Sequence, residues 1–146
     1  MTASESRYAS ILQTLKTHGH KITPQRMAIA RILALSTGHP SIEEVFEHLQ
    51  KDFSTMSLAT VYRNVLLIKS LGEALEIALP DGSNRYDGHN PSPHPHVVCI
   101  KCRKILDPDL SSLQDMTDQV AEITGFTILN HRLDFFGLCP ECRMKQ

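Results

Sequence analysis

The sequence has no apolar run approaching the roughly 18 residues that a membrane-spanning helix needs, so no segment of it is expected to cross a bilayer. Its opening stretch, MTASESRYAS, has no basic cap ahead of an apolar stretch, and no secretory signal is expected there. Charge of one sign is also missing. The 15 Lys and Arg against 16 Asp and Glu leave a net of -1. Residues 1–86 hold nine basic and eight acidic side chains, and residues 87–146 hold six and eight. Neither half carries the overall positive field of a nucleic-acid binder, so any DNA contact must rest on a local basic face. No internal repeat appears beyond two CxxC units. A cytoplasmic protein is the expectation, and in that compartment paired cysteines are metal ligands or redox groups more often than disulfides.

A chain of 146 residues suits one domain or two small ones joined by a short hinge. Two halves of this size could each bury only a modest core, so a metal or covalent staple in one of them makes physical sense.

The first half is helical in its periodicity. In SRYASILQTLKTH, Ala9, Ile11, Leu12 and Leu15 recur at helical spacing, and Gly19 ends the pattern. In KITPQRMAIARILAL, Thr23 is the expected N-cap and Pro24 occupies the first helical position, where its missing N–H costs nothing. Met27, Ile29, Ala30, Leu33 and Ala34 supply a core face, leaving Arg26 and Arg31 for solvent or a partner. Ser41 caps a third helix, with Glu43 and Glu44 in its first turn and Ile42, Val45, Phe46 and Leu49 inward. Ser57 opens a fourth, MSLATVYRNVLLIKSLG. There Leu58, Val61, Val65, Ile68 and Leu71 line one face, Thr60, Arg63 and Asn64 lie mostly opposite, and Tyr62 flanks them. EALEIALPDGSNRYD reads as two strands around PDGS. Three helices followed by a small β-hairpin is the winged-helix order.

The second half reads differently. Residues 97–100 and 104–107 are short strands, PDLSSLQDMTDQVAEITG is a helix with Leu110, Leu113, Met116, Val120 and Ile123 apolar, and FTILNHRLDFFGLC is a strand. All four cysteines fall in the two CxxC pairs, Cys99/Cys102 and Cys139/Cys142. Each pair can form a knuckle with both thiolates aimed at one ion, and two knuckles make a closed tetrahedral zinc site. Such a site has no open position. It would be structural and would add on the order of 10 kcal/mol of metal-coupled folding free energy. A thioredoxin-like redox pair is the alternative, disfavoured because neither CxxC is expected to open a helix after a strand. Inert or disulfide-bonded cysteines are a third reading.

Side chains alternate along a strand, so His94 and His96 share a face with Val98 while Cys99 points to the other. The histidines and cysteines therefore serve different sites. If Lys101 and Cys102 form a two-residue turn, His96 lies opposite Asp107, and His94, His96 and Asp107 converge away from the cysteines. The competing reading is that histidines among prolines are solvated. His18, His20, His48 and His89 are assigned to the surface and His131 to a half-buried, hydrogen-bonded position.

The motifs ITPQR, HPS, SLATVYRNV, RYD, HPHVVCIKCRKILD and GFTILNHRLDFFGLCPEC, in this order over nearly the whole chain, resemble the ferric uptake regulator family. The resemblance implies an α+β protein. An N-terminal winged helix-turn-helix DNA-binding domain (residues 1–86) would be followed by a hinge (87–93) and a C-terminal α/β dimerisation domain (94–146) with a four-cysteine zinc site. It implies a homodimeric, metal-dependent repressor of palindromic, A·T-rich operator DNA, not an enzyme. Thr60, Tyr62 and Arg63 would reach DNA, with Arg26 and the wing residue Arg85 supporting them. The regulatory metal, Fe²⁺ or Mn²⁺ beside the structural Zn²⁺, would take His39, Asp87, His94, His96 and Asp107, with either Asp87 or His89 completing the set.

Within the family, Asp rather than Glu at positions 87 and 107 resembles the peroxide-sensing branch, in which iron-catalysed oxidation of a ligand histidine releases the DNA. The matching positions are His39 and His94. A further metal site of the iron-sensing branch is expected to be lost, because its positions hold Pro93, Pro95 and Gln114, leaving His131. An iron- or other metal-uptake repressor is the alternative within the family. A non-haem iron enzyme is the alternative across classes, for which the chain offers no evident substrate pocket.

Overall fold

The structure is a computed structural model, described over residues 1–145. The chain divides into two compact units, Met1–Ser92 and the residues from Pro93 onward.

The first unit begins with α1 (Ala3–Thr17), closed at its start by a capping box between Thr2 and Glu5. α2 (Pro24–Leu35), α3 (Ile42–Leu49) and α4 (Leu58–Ser70) follow. Their N-cap side chains, Thr23, Ser41 and Ser57, accept the backbone N–H of Arg26, Glu44 and Thr60. The core gathers Ile11 and Leu15 of α1, Ile29, Ala30 and Leu33 of α2, Val45 and Leu49 of α3, and Val61, Val65 and Ile68 of α4. Two residues expected inside are not: Met27 is 39% exposed and Leu58 43%. Each lies in the first turn of its helix, at the edge of the stripe that the neighbouring helices cover.

β1 (Leu75–Ala78) and β2 (Asn84–Asp87) pair antiparallel, from Leu75 opposite Asp87 to Ala78 opposite Asn84. The connecting turn is built locally. Asp81 Oδ1 accepts from the N–H and the hydroxyl of Ser83, and Gly82 takes φ +87°. This is the winged-helix order.

Residues 87–92, expected as a hinge, pack on the first unit. Gly88 lies so close to α2 that a Cβ would sit 2.7 Å from Leu33 Cβ and 2.9 Å from the Leu33 carbonyl, so only glycine fits. The Gly88 carbonyl accepts from Arg7 Nε at 3.0 Å, and the same guanidinium pairs with Glu73 Oε2 at 2.7 Å. Glu73 also accepts from Thr14 and Ser10 of α1.

The second unit is built on a three-stranded sheet in the order β4-β3-β5. β3 (His96–Cys99) and β4 (Ile105–Leu106) pair antiparallel, with Val97 opposite Leu106 and Val98 opposite Ile105, the register expected from the sequence. The turn between them is wider than the expected two residues. Arg103 adopts φ +66° and its N–H donates to the Cys99 carbonyl, while Cys99 N–H donates to Lys104, which preserves the register. β5 (Asp134–Gly137) runs parallel to β3, a connection that needs a crossover, and α5 (Leu113–Thr124) supplies it. The strand expected over 126–139 shortens to four residues because β3 offers only four partners. The apolar face of α5 has no buried residue among those described: Met116, Val120 and Ile123 are half or more exposed, or nearly so. α6 (Pro140–Met144) ends the described chain, and Cys139 is its N-cap. The second CxxC thus does open a short helix after a strand, contrary to the expectation above.

Burial alone would raise the Glu73 carboxyl, but the hydrogen bonds from Thr14 and Arg7 outweigh it and hold the group below its ordinary value of 4.5. A depressed folded-state value stabilises above the unfolded value, and the gain is lost as pH falls through the folded one. Glu73→Gln is therefore expected to lower unfolding free energy by about 1–3 kcal/mol at pH 7. The difference from the unmodified protein should shrink as pH falls below 4.5. Denaturant unfolding at pH 7 and in the acid range checks both, and equal stabilities at pH 7 would remove Glu73 as the tie between α1 and the segment joining α4 to β1.

Candidate metal centres and the exposed face of the fourth helix

One donor set lies wholly in the second unit. Cys99, Cys102, Cys139 and Cys142 bring their sulfurs within 4.8 Å of one another. Cys99 ends β3 and Cys102 sits on the turn to β4, while Cys139 caps α6 and Cys142 lies within it. No disulfide joins them. The backbone N–H groups of Cys102 and Cys139 hold the Cys99 thiol down to about 6, whereas hydrogen bonding from Cys139 and burial push Cys142 up to about 12. The nest favours the first thiolate and resists the last. Four thiolates at this spacing need a cation among them, and four sulfur donors from two knuckles suit tetrahedral Zn²⁺. The redox-pair reading fails on this geometry, because Cys102 Sγ lies 3.8 Å from Cys139 Sγ, so the two CxxC units form one cluster.

A second donor set in this unit uses nitrogen and oxygen. His94, His96 and Asp107 place their ligand atoms within 4.8 Å of one another. His94 Nε2 is 3.2 Å from Asp107 Oδ2, and His96 Nε2 is 3.7 Å from Asp107 Oδ1 and 3.0 Å from His94 Nε2. β3 begins only at His96, so His94 reaches the cluster from the loop before it. Burial lowers the His96 imidazole below its ordinary range, although Asp134 opposes the shift. Two imidazoles beside a carboxylate suit a divalent cation such as Fe²⁺ or Mn²⁺.

Asp134 is the residue that sequence reasoning missed. It lies opposite His96 in the parallel register, and its Oδ1 is 3.1 Å from His96 Nδ1. A carboxylate only accepts, so the proton sits on Nδ1 and the Nε2 lone pair turns toward the donor cluster, as metal-binding imidazoles require. The available signal was a lone acid in the apolar strand LDFFG.

The first unit holds a pair of the same kind. His39 Nε2 is 3.2 Å from Asp87 Oδ2, and both side chains are 4% exposed. The other Asp87 oxygen accepts the backbone N–H of His89 and of Asn90, which fixes the carboxylate. His89 Nδ1 instead meets the Ala34 carbonyl at 2.9 Å. Of the two residues left open in the sequence, Asp87 is the one beside His39.

On α4, Tyr62 is 51% exposed and Arg63 is exposed, its guanidinium touching only the Thr60 hydroxyl at 3.4 Å among the contacts seen. Thr60 itself bonds the cap residue Ser57. Arg26 is half-buried and braces α4 through Asn64 Oδ1 at 2.9 Å and the Lys21 carbonyl at 2.8 Å. Arg85, expected on the wing as a phosphate contact, turns inward: its Nε donates to the His39 carbonyl at 2.6 Å. His131 is half-buried as expected, but no hydrogen-bond partner meets its Nε2 among the described residues. Among the described residues, no helix is long and apolar enough to cross a membrane.

Cys99→Ser is expected to release zinc and unfold the second unit, because a closed thiolate site is part of the folding free energy. His96→Ala should retain zinc and fold. Metal content by atomic emission and circular dichroism test the pair, and a zinc-free Cys99→Ser protein of normal stability would contradict it.

Known proteins resemble this chain over nearly its whole length. The family model described as the ferric uptake regulator family matches residues 17–136. The peroxide operon regulator of Bacillus subtilis (strain 168) is 38% identical over 146 residues, covering 100% of this chain and 99% of that protein. The structure of PerR from Streptococcus pyogenes, solved as a basis for peroxide sensing and gene regulation, is 32% identical. It covers 92% of each chain with a TM-score of 0.54. The ferric uptake regulator Fur of Helicobacter pylori, 22% identical, shares the fold with a TM-score of 0.83 over 96% of this chain and 93% of that one. A family-model match over residues 17–136, together with a relative 38% identical over the whole chain, makes this protein a member of the ferric uptake regulator family.

Proposed function

We propose that the protein is a peroxide-responsive, metal-dependent transcriptional repressor acting on operator DNA as a homodimer in the cytoplasm. The observation that carries this reading is the donor chemistry: an imidazole meets an aspartate at 3.2 Å in each unit, His39 with Asp87 and His94 with Asp107. Three imidazoles and two carboxylates, drawn from both units, would hold Fe²⁺ or Mn²⁺ as the regulatory ion beside a structural Zn²⁺ on the four cysteines. A metal with ligands on both units biases their relative position, which is how a local ligand acts on a DNA-binding surface. The exposed apolar face of α5 supports a dimer, because an amphipathic helix with no cover in its own chain needs a partner.

Held by these residues, iron would supply the electrons that reduce hydrogen peroxide beside the ligand side chains. His39 and His94 are the side chains that would then gain oxygen as 2-oxo-histidine, spoiling the donor set. Asp87 and Asp107 contribute hard anionic oxygens that favour iron. Asp134 keeps the His96 lone pair directed at the site. On the DNA side, Thr60, Tyr62 and Arg63 of α4 would enter the groove, with Arg26 supporting the helix.

Arg63→Ala is expected to weaken operator binding by about 1–3 kcal/mol while leaving metal affinity intact. Unchanged operator affinity in a fluorescence-anisotropy titration would return Arg63 to a solvated helix face. The decisive experiment exposes Fe²⁺-loaded and Mn²⁺-loaded protein to stoichiometric H₂O₂. Mass spectrometry should then find one added oxygen on His39 or His94 in the iron form and little in the manganese form, with DNA release tracking that change. Release with intact histidines and new disulfides would identify a thiol switch. Repression that persists through peroxide in the iron form would identify a metal-uptake repressor.

A further inference from the structure

The loop that carries His39 is held by β2 at several points. Tyr86 N–H donates to the Pro40 carbonyl at 2.9 Å. Arg85 donates from Nε to the His39 carbonyl at 2.6 Å and from Nη2 to the Gly38 carbonyl at 3.5 Å. Its Nη2 also lies 3.4 Å from Glu44 Oε1, and the arginine side chain is 14% exposed. Arg85 and Asp87 are two residues apart on one strand, so they share a face, and that face meets the His39 loop. β2 therefore grips His39 twice: Arg85 takes its backbone carbonyl and Asp87 faces its ring.

The backbone grip matters because His39 has φ +54°. This left-handed conformation is disfavoured for a residue with a Cβ and persists where surrounding contacts hold it. A planar guanidinium suits the task. Its fixed fork reaches two successive carbonyls and the Glu44 carboxylate together, which a single ammonium cannot reproduce.

We infer that Arg85 is a positioning residue for the regulatory metal: its guanidinium holds His39 in the left-handed conformation that turns the imidazole toward Asp87. The inference rests on the reading of His39 and Asp87 as ligands. It gives the wing arginine a role inside the protein rather than on the DNA, and it makes the ligand geometry depend on the same strand that forms the wing.

The test uses the full-length, zinc-loaded protein with Arg85→Ala, Arg85→Lys, His39→Ala and Asp87→Asn, and Ile11→Val as a core-loosened control remote from the site. Three quantities are read: Mn²⁺ affinity by competition with a chelating dye, the thermal midpoint without Mn²⁺, and operator affinity at saturating Mn²⁺. Arg85→Ala should weaken Mn²⁺ binding by about tenfold or more, the scale seen when a group orienting a metal ligand is lost. Arg85→Lys should fall between it and the unmodified protein, and it carries the test if Arg85→Ala does not fold. Ile11→Val should lower the thermal midpoint and leave Mn²⁺ affinity unchanged, which separates positioning from general loosening. Operator affinity of the Arg85 variants should recover once Mn²⁺ is saturating. Unchanged Mn²⁺ affinity in both Arg85 variants, with His39→Ala and Asp87→Asn weakened, overturns the inference and leaves the ligand reading standing. Operator binding that stays weak at saturating Mn²⁺, with Mn²⁺ affinity unchanged, makes Arg85 a DNA contact and also overturns it. If His39→Ala and Asp87→Asn bind Mn²⁺ normally, the ligand reading itself falls and takes this inference with it.

Discussion

Sulfur atoms that must share one small volume set the terms for the second unit. Four cysteine sulfurs lie within 4.8 Å of one another; backbone N–H groups draw the Cys99 thiol down to about 6, while hydrogen bonding from Cys139 and burial push Cys142 up to about 12. Without a cation, thiolates this close repel. With one, their attraction to it closes the turn after β3 onto the start of α6. Little else could do so. Of the buried hydrophobic side chains in this unit, Val98 and Ile105 are joined only by cysteines, and α5 buries none of its face. A unit with so small a core depends on a staple and on cover from outside its own chain.

The nitrogen and oxygen donors follow another logic. Their positions come from hydrogen bonds between backbone and side chain rather than from hydrophobic packing. Asp87 is fixed by two backbone N–H groups, His96 by Asp134, and His39 by a strand on which Arg85 and Tyr86 both hold its loop. Each of these three side chains is oriented by a neighbour, and such outer partners decide where lone pairs point. A donor set built this way fits hard or borderline divalent ions. The sulfur nest fits zinc, so one chain keeps two metals apart by ligand softness.

The first unit has the opposite character. Its helices bury a continuous apolar cluster, and its polar ties, such as the Arg7–Glu73 pair and the close fit of Gly88 on Leu33, secure the ends of that cluster. This arrangement leaves the outer face of α4, with Tyr62 and Arg63, free of structural duty.

Much of this was legible in the sequence because it is local. Thr23, Ser41 and Ser57 cap the helices they precede, and a cap depends only on the next three residues. The PDGS turn, the pairing of Val97 with Leu106, and the two CxxC knuckles are equally short-range. The conjunction of His96 with Asp107 was expected from strand alternation and an assumed hairpin register, whereas His94 reaches it from the loop before β3. What the sequence left open depends on residues far apart in the chain. Asp134 meets His96 only because a parallel crossover places β5 beside β3. Arg85 turns inward only because the His39 loop presents two carbonyls to it. The long strand expected before Cys139 shortens because its neighbour is four residues long, and Met27, in the first turn of α2, stays exposed. Local chemistry is written in adjacent residues, but the partner that a side chain finally meets is decided by which distant segment the fold brings to it.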